Sequence, residues 1–138
     1  MDKTYIIEIP IYREELHVFF GPIEECEKAI REDGVEEVNI RDWKKDNENC
    51  LASFTESDSG YLLLWLNNLP ETIRDYSDLI HEIEHVVFSV LDYRGVIHSS
   101  DSDEAFAYLS GWLYEQIEEF IQDEKSRSIF HQVRPEEK

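Results

Sequence analysis

Ser77-Asp78-Leu79-Ile80-His81-Glu82-Ile83-Glu84-His85-Val86-Val87-Phe88-Ser89-Val90-Leu91-Asp92 is the stretch on which the reading of this chain turns. Leu79, Ile80, Ile83, Val86, Val87, Val90 and Leu91 recur at the three- and four-residue spacing of one helix face. Ser77 and Asp78 are helix-capping residue types and Arg94-Gly95 is a stop, so a helix is predicted to about Asp92. On that helix His81 and His85 stand one above the other. Two imidazoles so placed can grip one zinc ion, and Glu82 is then the base for a metal-bound water. The plainer reading puts both histidines at the rim of an amphipathic helix and makes Glu82 and Glu84 ordinary solvent-facing acids.

Working outward, the residues before this helix read as mostly β. Residues 5–11 and 16–20 are rich in β-branched and aromatic side chains and predict a hairpin, with Pro10 at a strand end or edge. From Ile23 the period becomes helical through Cys26, Ala29 and Ile30, and Gly34 ends it. Residues 37–43 and 50–55 predict two strands around an Asn-rich turn. Tyr61-Leu62-Leu63-Leu64-Trp65-Leu66 is apolar without alternation, which predicts a strand covered on both faces. After the histidine helix, Ser99-Ser100-Asp101 predicts the cap of a second helix to about Glu124, buried through Phe106, Leu109, Leu113, Ile117 and Phe120. The fold class is therefore α+β: an N-terminal mixed sheet with one helix, then two antiparallel helices. One domain over residues 1–126 is expected, with residues 127–138 a flexible tail.

The chain has 138 residues, 41% of them apolar, which suffices for a core. Acidic residues outnumber basic ones 32 to 13, for a net charge of -19. Such a surface repels nucleic acid and anionic membrane, so direct binding of either is not expected. It aids solubility, and it favours a basic protein partner. Cys26 and Cys50 form no C-x-x-C pair, and both are expected to be free thiols. No signal peptide is visible at the N-terminus and no apolar run is long enough to span a bilayer, so a cytoplasmic location is expected.

A hydrolytic zinc site needs a third protein ligand and an open position for water. His98, Asp101, Asp103 and Glu104 are the candidates. Glu104 fits best, because Ala105 and Ala107 beside it let two helices approach closely. It could instead close a capping box with Asp101. The metzincin pattern needs Gly at 88 and His at 91; Phe88 and Leu91 exclude it.

His81-Glu82-x-x-His85 followed by Glu104 on the next helix resembles the gluzincin branch of the zincin metallopeptidases. The shape also resembles small bacteriophage zincin-like proteins that end in a comparable Glu-Ala-x-Ala-Tyr helix; for a phage protein the compartment is the host cytoplasm. The resemblance implies zinc held by His81, His85 and Glu104, with Glu82 as general base in peptide-bond hydrolysis. It implies that the strand-rich half, with residues 62–66 ahead of the helix, aligns a peptide or protein substrate along a sheet edge. Gluzincins often carry Asp four residues after the ligand Glu, to orient a histidine. Tyr108 stands there: it is either a core aromatic or a phenol that hydrogen-bonds a ligand or steadies the oxyanion, for which Tyr93 and His98 are other candidates. The alternative expectation is a weak or inactive zincin-fold binding protein or inhibitor, such as a DNA mimic acting on a host partner.

Overall fold

The computed structural model describes residues 4–133, and side chains through residue 127. It is α+β, as expected. Strands β1 (Thr4–Ile9), β2 (Glu14–Phe20), β3 (Ala52–Glu56) and β4 (Leu62–Leu66) form one mixed sheet in the order β1-β2-β4-β3. β1 and β2 make the predicted hairpin, β2 and β4 run parallel, and β3 returns antiparallel to β4 as an edge. Helices α1 (Ile23–Glu32) and α2 (Glu37–Asn47) lie in the β2-to-β3 crossover. Helices α3 (Ile73–Tyr93) and α4 (Asp103–Val133) follow β4.

β4 explains the layering. All five of its residues are buried. Leu62, Leu64 and Leu66 face a core built with Leu16, Val18 and Phe20 of β2 and the apolar stripes of α3 and α4. Leu63 and Trp65 face the opposite way, into a second core with Cys26, Ile30, Ile40 and Trp43 of α1 and α2. A continuous apolar strand needs helices on both faces, and both are supplied.

The expected strand over residues 37–43 is instead helix α2. Val38 and Ile40 alternate like strand residues, but Val38 is exposed. The residues that reach the core are Ile40, Trp43 and Asn47, three and four apart. Ion pairs from Arg31 to Glu37 and from Lys44 to Glu27 join the two helices. The N-terminal half therefore holds two helices, where one was expected.

Both C-terminal helices have ends other than expected. α3 begins four residues before Ser77, because Thr72 and Asp75 form a capping box. The Thr72 hydroxyl accepts from the Asp75 N–H at 3.1 Å, and the Asp75 carboxylate accepts the N–H groups of Thr72 and Glu71. The same two N–H groups hold the Asp75 carboxyl below the usual carboxylate range. α3 stops as predicted at Arg94-Gly95: Gly95, at φ 79°, lets its own N–H reach Asp92 and the Val96 N–H reach Leu91. α4 passes its expected end at Glu124 and continues to Val133. The rest of the expected tail, residues 134–138, lies outside the described residues. No helix among the described residues is long and apolar enough to cross a membrane.

Two stability changes follow. Thr72→Ala removes the cap of α3 and should cost about 1 kcal/mol in urea denaturation. Ile11, exposed in the β1–β2 turn, has φ 70°, a left-handed conformation unfavourable for a β-branched residue. Ile11→Gly should raise stability by about 0.5–1 kcal/mol, the relief of roughly 1–2 kcal/mol of strain less the flexibility that Gly adds to the unfolded chain.

Candidate metal centre

α3 presents a different set of side chains to each neighbour. Leu79, Ile83, Val86, Val87, Val90 and Leu91 go into the core. Glu84 faces α4, where the Ser110 hydroxyl lies 2.7 Å from one carboxylate oxygen. Glu82 faces the sheet edge: its Oε1 accepts the backbone N–H of Phe54 in β3 at 2.9 Å. The plainer reading of these two glutamates as solvent-facing acids thus fails at both.

That leaves His81 and His85 on the open side, both exposed. Their rings meet edge to face, and the two Nε2 atoms are 3.2 Å apart. In a tetrahedral zinc site with Zn–N bonds of about 2.0–2.1 Å, two nitrogens are separated by about 3.3 Å. The rings are therefore already turned so that one proton or one metal ion fits between them. Glu82 Oε2 is 4.0 Å from His81 Nε2. Its partner oxygen is pinned by Phe54, and the side chain is only 14% exposed, so the carboxylate is held beside the pair.

The third expected ligand is not brought in. Glu84 meets Ser110, Tyr76 meets Glu118 and Phe88 meets Phe106 across the antiparallel helices. In that register Tyr108 is level with Val86, and Glu104 is level with Val90. At 1.5 Å per residue, Glu104 lies about 7.5 Å along the helix pair from His85. Among the described residues no group of three His, Cys, Asp or Glu is placed to hold a metal ion. Glu104 does not close the capping box either: the Asp101 N–H is taken by the Ser99 hydroxyl at 3.2 Å. Its carboxylate is exposed and makes no hydrogen bond or ion pair among the described residues.

The other candidates are spread along the same end. Tyr108 is 74% exposed beside the histidine level, free to approach a bound molecule. His98 packs against Phe88 and Phe106 and pairs with Asp103 at 3.2 Å. Asp101 is exposed in the loop before α4. Tyr93 is exposed at the last residue of α3. The strand beside the histidines is β3, the sheet edge, whereas residues 62–66 form an interior strand. The role of Phe54 could not be read from sequence, because a backbone N–H leaves no residue-type signal.

Cys26 is buried and Cys50 exposed, and both are free; burial pushes the Cys26 thiol up. Comparison of the chain with protein-family models, with characterised proteins and with solved structures returns no match.

The Glu84–Ser110 bond anchors the histidine helix to α4. Ser110→Ala leaves a half-buried carboxylate short of a donor and should cost about 1–2 kcal/mol in chemical denaturation.

Proposed function

We propose that this protein is a zinc-dependent, metallopeptidase-like hydrolase. The observation that carries the reading is the His81–His85 pair, with Nε2 atoms at a zinc-chelating separation and a pinned Glu82 alongside. The donor chemistry fits zinc, since neutral imidazole nitrogen is a common ligand for it. When bound, zinc polarises a peptide carbonyl and makes water a nucleophile near neutral pH.

The residues of the chain have separate tasks in this reading. His81 and His85 would hold the ion. Glu82 takes the proton of the attacking water through Oε2 and passes it to the leaving amine. The bond from Phe54 keeps that carboxylate from turning away. Glu104 would be the third ligand, and among the described residues its carboxylate has no partner to give up. Tyr108, level with the histidines, donates to the oxyanion developing on the substrate carbonyl. His98 is the second candidate for that role. An extended peptide lies along the outer side of β3, beside the Glu82–Phe54 bond, whose N–H is not available to it.

The test is metal content with activity. Purified protein should take up one zinc ion. His81→Ala should weaken zinc binding more than the roughly 10–100-fold typical of outer-shell changes. Glu104→Ala should weaken it in the same direction. Glu82→Gln should keep the zinc while peptide hydrolysis falls by about 10²–10⁴-fold. Absence of stoichiometric zinc, with no change in His81→Ala, would sink the reading. Zinc binding without hydrolysis of any peptide would favour the acidic binding protein instead.

A further inference from the structure

Past the histidine pair, α3 continues beside the edge strand β3. Glu82 of α3 meets Phe54 of β3, and one to two turns later Ser89 donates to Glu56 at 2.5 Å. Helix and edge strand therefore run side by side in the same direction. Where they end there is a depression of about 490 Å³ lined by Glu56, Phe88, Ser89, Asp92 and Tyr93.

Its chemistry is mixed in a particular way. Phe88 and Tyr93 present apolar rings, 46% and 73% exposed. Glu56 and Asp92 add two exposed carboxylates. One Glu56 oxygen accepts from Ser89, and the other has no hydrogen-bond partner among the described residues. The Tyr93 ring already carries a guanidinium in this structure: the Arg94 head lies 5.7 Å from its centroid, with its tip drawn towards Glu14 at 3.7 Å. One ring face is thus occupied by a cation that also pairs with Glu14, which does not line the depression.

We propose that this depression is a side-chain subsite for arginine or lysine in a peptide bound along β3. The inference rests on the hydrolase reading for the direction of that peptide, and names its substrate class. The long methylene stem of a basic residue covers apolar rings while its cationic head stays among polar groups. The head finds the Glu56 and Asp92 carboxylates and an aromatic face. An acidic side chain meets repulsion from both carboxylates, and a purely apolar one strips water from them without replacement. The whole-molecule charge of -19 draws the same class of peptide from a distance.

The spacing locates the subsite. Phe88 and Asp92 follow His85 by about 4.5 Å and about 10.5 Å along the helix. An extended peptide advances about 3.4 Å per residue. The basic side chain is therefore about one to three residues from the bond that faces the histidines.

The experiment uses zinc-supplemented full-length protein. Its probes are unstructured eight-residue Ala/Gly/Ser peptides with one arginine, or one citrulline in its place, at each position in turn. Binding is read by fluorescence anisotropy and cleavage by mass spectrometry. The arginine peptide should bind about ten-fold tighter than its citrulline twin, from two partly exposed charge pairs and one cation–π contact. Glu56→Gln with Asp92→Asn should erase that preference. Glu24→Gln with Asp42→Asn, an equal loss of charge on α1 and α2, should keep it. Equal binding of the two peptides, no binding of either, or a preference surviving in Glu56→Gln/Asp92→Asn overturns the subsite. Preferential binding without cleavage upholds the subsite and counts against the hydrolase; cleavage without preference does the reverse.

Discussion

Leu62 to Leu66 have nowhere polar to point. All five are buried, and successive side chains of a strand point to opposite faces. The sheet must therefore be covered twice, and the rest of the molecule meets that constraint. α1 and α2 close over Leu63 and Trp65, while α3 and α4 close over Leu62, Leu64 and Leu66. Trp65 also donates its indole N–H to the Gly21 carbonyl at 2.8 Å, tying the end of β2 to the strand beside it. Because β2 and β4 are parallel, the crossover between them has room for two helices and the edge strand β3.

The same constraint sets the candidate site. Once its apolar stripe is committed to the core, α3 cannot rotate, and every other residue on it has a fixed outlook. Glu84 must look at α4, Glu82 at β3 and the two histidines at solvent. An acid turned inward needs a donor, and each glutamate has one: Ser110 for Glu84 and the Phe54 N–H for Glu82. The open edge of β3 thus does two things. It satisfies one of its own outward N–H groups, and it holds a carboxylate next to two imidazoles. An edge strand left with unpaired N–H groups would otherwise invite pairing with another chain.

The acidic excess acts on this arrangement from outside the core. It contributes nothing to choosing the fold, since most of the carboxylates are solvated. Its effect is a negative potential over the side where α3 meets β3, which already carries Glu56, Glu82 and Asp92, and where cations are favoured. The cationic side chains on the opposite side of the sheet are partly used internally, as in the pairs of Arg31 with Glu37 and Lys44 with Glu27.

Where the sequence carried a strong period or a steric demand, it was sufficient. The α+β class, the hairpin, the doubly covered strand, the apolar face of α3 apart from the half-exposed Ile80, and its Gly95 stop could all be read from residue types alone. Where two periods competed it was not: Val38 and Ile40 alternate, and only packing shows that Ile40 and Trp43 share a helix face. The start of α3 was missed because Ser77-Asp78 and Thr72-x-x-Asp75 both look like caps, and a cap is decided by which hydroxyl meets a free N–H. The histidine spacing by itself determined that two imidazoles would share one side of a helix. Only the tertiary structure decided that Glu82 would be pinned by a strand and that Glu104 would stand more than a turn from the pair. The offset between two antiparallel helices is set by side chains such as Phe88, Phe106, Glu84 and Ser110 meeting across the interface, and a linear spacing does not encode it.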